Sequence, residues 1–200
     1  MAFVQIITDI PTVPETDLLD RIARVSRLPA AVRARLTVQM RDPEMPVREL
    51  VRLGEALRQA TSDIGARFVV NDRVDLALLL GADGVHLGRR SMGVADARRV
   101  LGEGAWISTS AHAIEDVVAA ARDGANAALL SPIFASPGKA APLGVGALAE
   151  ARKALSAEGL YLHLFALGGV DADTAGTCLT AGAEGLAAIR ADLVDWLAVE

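Results

Sequence analysis

The sequence predicts a (β/α)₈ barrel that spans residues 1–200 as a single domain. Three observations lead to this prediction. Short apolar segments rich in β-branched residues alternate with longer amphipathic segments along the whole chain. The short segments are apolar almost throughout, which is typical of parallel strands that are covered on both faces. There are eight of them, each followed by a helical segment, as in a (β/α)₈ barrel.

The elements follow in order along the chain. The predicted strands are residues 3–8, 36–41, 68–71, 84–87, 106–109, 127–131, 161–167 and 185–189. The predicted helices carry apolar residues at helical spacing, at 15–27, 47–60, 74–80, 94–101, 114–122, 146–155, 172–180 and 191–198. A Gly-Ala dipeptide connects a helix to the next strand at three places, beginning at Gly81, Gly124 and Gly182. Glycine can adopt the left-handed cap conformation at such positions. An open, doubly wound sheet is the alternative, but no Gly-x-Gly-x-x-Gly segment follows the first strand.

Composition excludes several classes of protein. Of the 200 residues, 52% are hydrophobic and 22% are charged, which suits a folded domain rather than a disordered chain. The apolar runs are far shorter than the roughly 20 residues of a membrane-spanning helix, and no cationic segment of a secretory signal precedes them. Cys178 is the one cysteine of the sequence, and a lone thiol favours a reducing cytoplasm. The net charge of −5 disfavours binding to nucleic acid. We therefore expect a cytoplasmic protein without nucleic-acid or membrane partners, and a homo-oligomer is left open.

Polar residues cluster where the predicted strands end. In barrels of this kind the active site lies at the carboxyl ends of the strands, and the opposite ends of this chain carry few polar residues. This asymmetry favours an enzyme over a scaffold. The polar residues at the carboxyl ends include, in chain order, Gln39, Arg41, Asn71, Asp72, Arg73, His86, Arg89, Arg90, Ser110, His112, Ser131, Ser136, Lys139 and Arg190.

A glycine pair follows the seventh predicted strand. At Gly168 and Gly169, and at the turn after the eighth strand around Ala188 and Ile189, backbone N–H groups can approach phosphate oxygens closely. This pattern predicts a site for the phosphate of a small-molecule substrate. A tight βα turn without a ligand is the alternative interpretation.

Several motifs follow one another in barrel order, namely Asn71-Asp-Arg73, Gly81-Ala-Asp-Gly-Val-His-Leu-Gly88, Ser131-Pro-Ile-Phe134, Lys139, Pro142-Leu-Gly144 and Ala166-Leu-Gly-Gly169. Together they resemble the thiamine phosphate synthase/TenI superfamily. The synthase branch joins a hydroxymethylpyrimidine diphosphate to a thiazole phosphate with the help of Mg²⁺. The TenI-like branch aromatises a thiazole carboxylate phosphate tautomer by a proton transfer that needs no metal. The resemblance implies a thiamine-biosynthesis enzyme that binds a thiazole phosphate.

The resemblance also implies roles for individual residues. Asp72 matches the first metal-binding aspartate of the synthase branch, and His112 matches the acid/base histidine of the TenI-like branch. An imidazole suits that role because its pKa lies near neutrality. Substrate or diphosphate binding is expected at Gln39, Arg41, Asn71, Ser110, Ser136 and Lys139. Thiazole phosphate binding is expected at Gly168, Gly169, Ala188 and Ile189.

Two departures from the synthase pattern concern charge. Ser91 stands where the second metal-binding aspartate is expected, and Pro43 stands where a lysine is expected. Serine binds Mg²⁺ more weakly than a carboxylate does, because it carries no charge. Arg89 and Arg90 restore positive charge and suit an anion that is bound directly.

These departures favour a TenI-like thiazole tautomerase, which requires no cofactor and uses His112 as its acid/base. The first alternative is a thiamine-phosphate synthase that uses Mg²⁺ at Asp72. The second alternative is a non-catalytic protein that binds a phosphate of the thiamine pathway. The other two histidines, His86 and His163, are expected to be structural, with His86 hydrogen-bonded inside the barrel.

Overall fold

Eight parallel strands close into a barrel in the computed structural model, which describes residues 2–136, 138 and 141–197. Neighbouring strands follow chain order, and β8 pairs with β1 through the register Phe3↔Gly185. This closure confirms the predicted (β/α)₈ barrel. The strands are β1 (Phe3–Ile7), β2 (Leu36–Met40), β3 (Arg67–Asn71), β4 (Gly84–Leu87), β5 (Trp106–Ala111), β6 (Ala127–Leu130), β7 (His163–Leu167) and β8 (Gly185–Ala188).

Helices connect the strands on the outside of the barrel. None of the helices in the described ranges is both long enough and apolar enough to cross a membrane. The helices are α1 (Glu15–Arg24), α2 (Ala30–Arg33), α3 (Val47–Ile64), α4 (Val74–Leu79), α5 (Val94–Leu101), α6 (Ile114–Arg122), α7 (Gly146–Ala157), α8 (Ala172–Thr180) and α9 (Leu193–Leu197), and a 3₁₀ turn follows α1 at Val25–Arg27.

Some element bounds differ from the prediction. The predicted helix 15–27 ends as α1 at Arg24 and continues as the 3₁₀ turn, and the short α2 was not expected. The third helix runs past residue 60 to Ile64, because Gly65 at φ 68° provides its left-handed cap. The fifth strand extends to Ala111, so that Ser110 lies within the strand rather than after it.

Alternate strand residues pack on the two faces of the barrel wall. One set, which includes Ile6 and Leu130, packs against the helices in the main core. The other set lies inside the barrel and forms a small apolar cluster with Phe165. The members of this cluster are Ile7, Ala127, Leu129, Phe165 and Ala187.

The amino end of the barrel interior is filled by aromatic and charged side chains. The Arg67 guanidinium lies 3.8 Å from the ring centroid of Trp106, and that ring stacks on His163 with centroids 5.6 Å apart. His163 Nδ1 lies 2.7 Å from Glu184 Oε2. These contacts agree with the structural role expected for His163, which lies at the end of the barrel opposite the predicted site.

Candidate active site at the carboxyl ends of the strands

Inside the barrel, a chain of side-chain amides leads from β1 to the carboxyl end of β3. Gln5 Nε2 donates to Gln39 Oε1 over 2.6 Å, and Gln39 Nε2 donates to Asn71 Oδ1 over 2.9 Å. Gln5 and Gln39 are buried, whereas Asn71 is half-buried at the end of its strand. Because Asn71 Oδ1 accepts within this chain, its amide nitrogen is the group left to donate toward a ligand.

Thr8 holds the first residue after β2 in place. Its hydroxyl accepts from the backbone N–H of Arg41 over 2.7 Å and donates to the Arg41 carbonyl over 2.8 Å. The Arg41 side chain is exposed at this end of the barrel. The following residues form a turn, in which the carboxylate of Asp42 accepts hydrogen bonds from the N–H groups of Glu44 and Met45 over 3.1 Å each. The uncharged Pro43 therefore lies within a tight turn.

Asp72 adopts a backbone conformation that is rare for a residue with a side chain. Its φ is 64°, and among the described residues it is the one non-glycine residue with positive φ. Its N–H donates to the His86 carbonyl over 2.8 Å, and its own carbonyl accepts from Val74 N–H over 3.0 Å. Backbone strain of this kind clusters at functional sites. The exposed carboxylate of Asp72 thus occupies a fixed place at the end of β3.

The neighbouring charges belong to a separate ion pair. Arg73 donates from Nε and Nη2 to both carboxylate oxygens of Asp75, over 2.8 and 2.6 Å. This hydrogen-bonded contact lowers the pKa of Asp75 and raises that of Arg73. Arg73 is therefore hydrogen-bonded to Asp75, whereas its interaction with the exposed carboxylate of Asp72 is a weaker one, between charges without a hydrogen bond.

His86 lies buried between two serine hydroxyls of the next strand. Its Nδ1 is 3.0 Å from Ser108 Oγ, and its Nε2 is 2.9 Å from Ser110 Oγ. Burial, together with the positive charge of Arg41, lowers the pKa of His86 to about 4. The ring is therefore neutral at physiological pH, and the expected hydrogen-bonded role of His86 inside the barrel is confirmed.

His112 follows β5 directly, and its ring is fixed by the next strand. Its Nδ1 lies 2.8 Å from the carbonyl oxygen of Ser131. A carbonyl can only accept, so Nδ1 carries the hydrogen and Nε2 is left with the lone pair in the neutral ring. The backbone N–H of His112 donates to Asp116 Oδ2 over 2.8 Å, which ties the residue to the start of α6. The exposed ring can therefore present a basic nitrogen at the carboxyl end of the barrel.

Ser91 closes a four-residue turn after β4. Its hydroxyl oxygen accepts from Gly88 N–H over 2.7 Å, and its own N–H donates to the Gly88 carbonyl over 3.0 Å. Arg89 and Arg90 are exposed at the tip of this turn and form no ion pair within the described part of the chain. Anion binding by the two arginines stays a prediction.

The loop after β6 packs tightly against the glycine pair after β7. Ile133 N–H donates to the Leu167 carbonyl and Phe134 N–H to the Gly168 carbonyl, each over 2.9 Å. The φ angles of Gly168 and Gly169 are 92° and 65°, and a Cβ at either position would lie 2.8 Å from atoms of this loop. This packing explains both glycines without a ligand, and their role in phosphate binding stays a prediction.

The remaining site residues lie at the same end of the barrel. Ala188 ends β8, and Ile189 follows it and packs partly against the interior cluster. Ser136 is half-buried in the loop after β6, where its hydroxyl donates to the Phe134 carbonyl over 3.3 Å. Lys139 lies outside the described residues. Hydrogen bonds join three of the sequence-predicted residues into the interior chains, namely Gln39, Asn71 and Ser110.

Three contributing residues were missed by sequence reasoning. Gln5, Thr8 and Ser108 lie in or directly after apolar strands, where a single polar residue carries little signal. The period of two in a strand offered one clue, because Ser108 lies two residues before Ser110 and therefore on the same face.

A metal ion would find few ligands here without a substrate. The described residues contain no group of three or more His, Cys, Asp or Glu side chains that could hold a metal ion. Asp72 supplies one carboxylate, and the Ser91 hydroxyl oxygen already accepts from Gly88. Mg²⁺ is commonly bound by one or two carboxylates together with substrate phosphates. The donor set therefore fits a Mg²⁺ ion that is shared with a diphosphate.

Comparisons with known proteins cover nearly the whole barrel. A family model described as thiamine monophosphate synthase matches residues 7–191. The chain is similar to a thiamine-phosphate synthase of Methanoculleus marisnigri, with 42% identity over 170 residues, covering 84% of this chain and 78% of that protein. It is also similar to one of Chlorobium luteolum, with 38% identity over 189 residues, covering 93% and 82%.

A solved structure agrees with these sequences. The thiamine phosphate pyrophosphorylase of Pyrococcus furiosus matches with a TM-score of 0.76 and 30% identity, covering 94% of this chain and 85% of that one. The names of these relatives favour the synthase alternative over the tautomerase. The extent of the family match and the identity to these relatives show that the chain belongs to the thiamine monophosphate synthase family.

Proposed function

We propose that the protein is a thiamine-phosphate synthase, which joins a hydroxymethylpyrimidine diphosphate to a thiazole phosphate. The observation that carries the proposal is the placement of Asp72. Its carboxylate is exposed on a residue of left-handed backbone conformation directly after Asn71, at the end of the barrel where the active sites of (β/α)₈ barrels lie. Relatives that are 38–42% identical to this chain are named as synthases, which supports the same activity.

The residues at the carboxyl ends suit the coupling reaction. The thiazole nitrogen bonds to the methylene carbon of the pyrimidine while the carbon–oxygen bond to diphosphate breaks, and the diphosphate leaves with the electron pair. Arg41 offers a cation for the charge that develops on the leaving group. Mg²⁺, when bound at Asp72 and the substrate oxygens, would neutralise part of the diphosphate charge. Arg89 and Arg90, exposed after β4, supply further positive charge at this end of the barrel, where Pro43 stands in place of an expected lysine.

The thiazole phosphate would bind at the same end of the barrel, on the side opposite the pyrimidine diphosphate. Backbone N–H groups of the turns at Gly168, Gly169, Ala188 and Ile189 suit the phosphate of the thiazole. This arrangement holds the thiazole by its anionic group and leaves the ring nitrogen free to react.

A coupling assay tests the proposal. Purified protein is incubated with both substrates in the presence of Mg²⁺ or of a chelator, and thiamine phosphate is measured by chromatography. We expect formation that depends on Mg²⁺, and a loss of about 10²-fold or more in Asp72→Asn, as when a group that stabilises developing charge is removed. The matched control is Asp75→Asn, at a carboxylate paired with Arg73, where we expect a change within about twofold because exposed ion pairs contribute little. No coupling by the wild type at any Mg²⁺ concentration would refute the proposal.

The tautomerase remains a second candidate because of one contact, between His112 Nδ1 and the Ser131 carbonyl. This contact leaves Nε2 as a base in a fixed position, as a proton transfer requires. The test is aromatisation of a thiazole carboxylate phosphate tautomer without Mg²⁺. Aromatisation without coupling would assign the tautomerase, and binding of the thiazole phosphate without either reaction would assign the non-catalytic alternative.

A further inference from the structure

We propose that His86 and Ser108 are positioning residues that fix Ser110 as a hydrogen-bond donor toward the bound pyrimidine diphosphate. The three side chains form a continuous chain inside the barrel, from Ser108 Oγ through both ring nitrogens of His86 to Ser110 Oγ. His86 and Ser108 are register partners on β4 and β5, and Ser110 follows two residues later on the same face. The assignment of the ligand rests on the proposed function, whereas the direction of the hydrogen bonds does not.

The ring is neutral because of its surroundings. His86 is buried, and both of its nitrogens contact hydroxyl oxygens. A protonated ring would place a positive charge inside the barrel with two neutral partners, which burial disfavours. One nitrogen therefore carries a hydrogen and the other accepts, so that the chain can run in one of two directions.

Ser108 decides between the two directions. It is fully buried, and within the described ranges its hydroxyl has one hydrogen-bond partner, His86 Nδ1. If Nδ1 carried the hydrogen, the Ser108 hydroxyl would accept and its own hydrogen would be buried without an acceptor, which is unfavourable. The Ser108 hydroxyl therefore donates to Nδ1, and the ring hydrogen resides on Nε2.

Ser110 is then a donor toward the ligand. Nε2–H donates to Ser110 Oγ, which leaves the Ser110 hydroxyl hydrogen free at the carboxyl end of β5. The amide chain through Gln39 also ends in a donor, the side-chain nitrogen of Asn71. Asn71 and His86 are register partners on the neighbouring strands β3 and β4. The two donors therefore lie on either side of β4, at the same end of the barrel. A pair of fixed donors matches a ligand that is rich in acceptors, as the ring nitrogens and diphosphate oxygens of the proposed substrate are.

The first test is the tautomer of His86 in the free protein. Nitrogen-15 NMR of labelled protein distinguishes a protonated Nε2 from a protonated Nδ1, and the signals that disappear in His86→Asn identify the residue among the three histidines. We expect the Nε2–H tautomer in the wild type and a mixture of tautomers in Ser108→Ala. A wild-type ring protonated on Nδ1 would overturn the proposal, whether or not the protein couples the two substrates.

The second test separates positioning from folding. In Ser108→Ala the KM for the pyrimidine diphosphate should rise roughly 3- to 10-fold with a smaller change in kcat, as expected for one weakened hydrogen bond. The control is Thr37→Val, which removes another buried hydroxyl of the barrel interior, one that contacts Arg67 at the amino end. Thr37→Val should leave this KM unchanged. Equal effects of the two variants would overturn the proposal. An absence of coupling in the wild type would refute the proposed function but not this proposal. The dissociation constant of the pyrimidine diphosphate is then measured instead of KM, and it should rise in Ser108→Ala but not in Thr37→Val.

Discussion

The backbone N–H of Asp72 donates to the carbonyl oxygen of His86 over 2.8 Å, and so joins the residue after β3 to the neighbouring strand β4. This bond helps to hold the Asp72 backbone at φ 64°. The same strand carries the buried His86 ring between Ser108 and Ser110. The candidate metal ligand and the interior hydrogen-bonded chain are thus connected through one residue of β4.

The conformation of Asp72 allows its structural and functional roles to be separated. Asn tolerates the left-handed region at least as well as Asp does, whereas Ala does not. We expect Asp72→Asn to keep the free energy of unfolding and Asp72→Ala to lower it by about 1 kcal/mol. Urea denaturation of both variants measures this difference. Equal stabilities would show that the backbone at Asp72 is not strained.

Restoring a carboxylate at position 91 should strengthen metal binding. The Ser91 oxygen accepts from Gly88 N–H, and an aspartate can accept the same bond. We expect Ser91→Asp to lower the Mg²⁺ concentration needed for half-maximal coupling and to raise the coupling rate, because a second carboxylate completes the usual ligand set. The control is Ser91→Asn, which can accept the same bond without a charge. An equal gain in Ser91→Asn would rule out the metal as the cause.

His112 is the group on which aromatisation should depend, if the protein catalyses it. His112→Asn keeps a side-chain donor for the Ser131 carbonyl but removes the ring nitrogen that carries the lone pair. We expect the rate of aromatisation to fall by roughly 10²–10⁴, the range for loss of a general acid or base. His163→Asn, at the amino end of the barrel, serves as the control and should retain the rate. An unchanged rate in His112→Asn would assign the histidine a structural role.

The glycine pair after β7 should be sensitive to any side chain. We expect Gly169→Ala to lower the free energy of unfolding by about 2–4 kcal/mol, since it combines a left-handed conformation with a contact 2.8 Å from Phe134 Cβ. Gly124→Ala is the control, because φ is 81° there but no atom lies within 4 Å of the added Cβ, and the loss should be about 1–2 kcal/mol. Thermal or urea unfolding compares the two.

Stability should depend on pH through His86. Burial lowers the pKa of His86 in the folded protein to about 4, from 6.5 for an unperturbed histidine. Below pH 6.5 the unfolded chain binds a proton that the folded protein does not, so that stability is complete above pH 6.5 and is lost as the pH falls toward 4. At pH 5 the loss should be about 2 kcal/mol. Urea denaturation at pH 7 and pH 5 should show this loss of stability in the wild type and a smaller loss in His86→Asn. Equal losses in the two proteins would contradict the assignment of the pH dependence to His86.

The sequence by itself determined the order and number of strands and the end of the barrel where polar residues gather. Helical and strand periods differ, and glycines such as Gly81 and Gly182 mark the joints, so these features are local and can be read without a fold. The motif around Asn71 and His86 likewise indicated the family. Helix ends were less accurate, as at α3, which runs past residue 60 to its left-handed cap at Gly65.

Only the tertiary structure decided which polar groups meet. When both faces of a strand are apolar, the sequence shows which residues share a face but not which face turns inward. Closure of the barrel places Gln5, Gln39 and Asn71 from three strands in one chain, and sets His86 between Ser108 and Ser110. It also presses the loop after β6 against Gly168 and Gly169. These contacts join residues far apart in the chain, and their geometry arises from strand register and closure, which local sequence patterns do not specify.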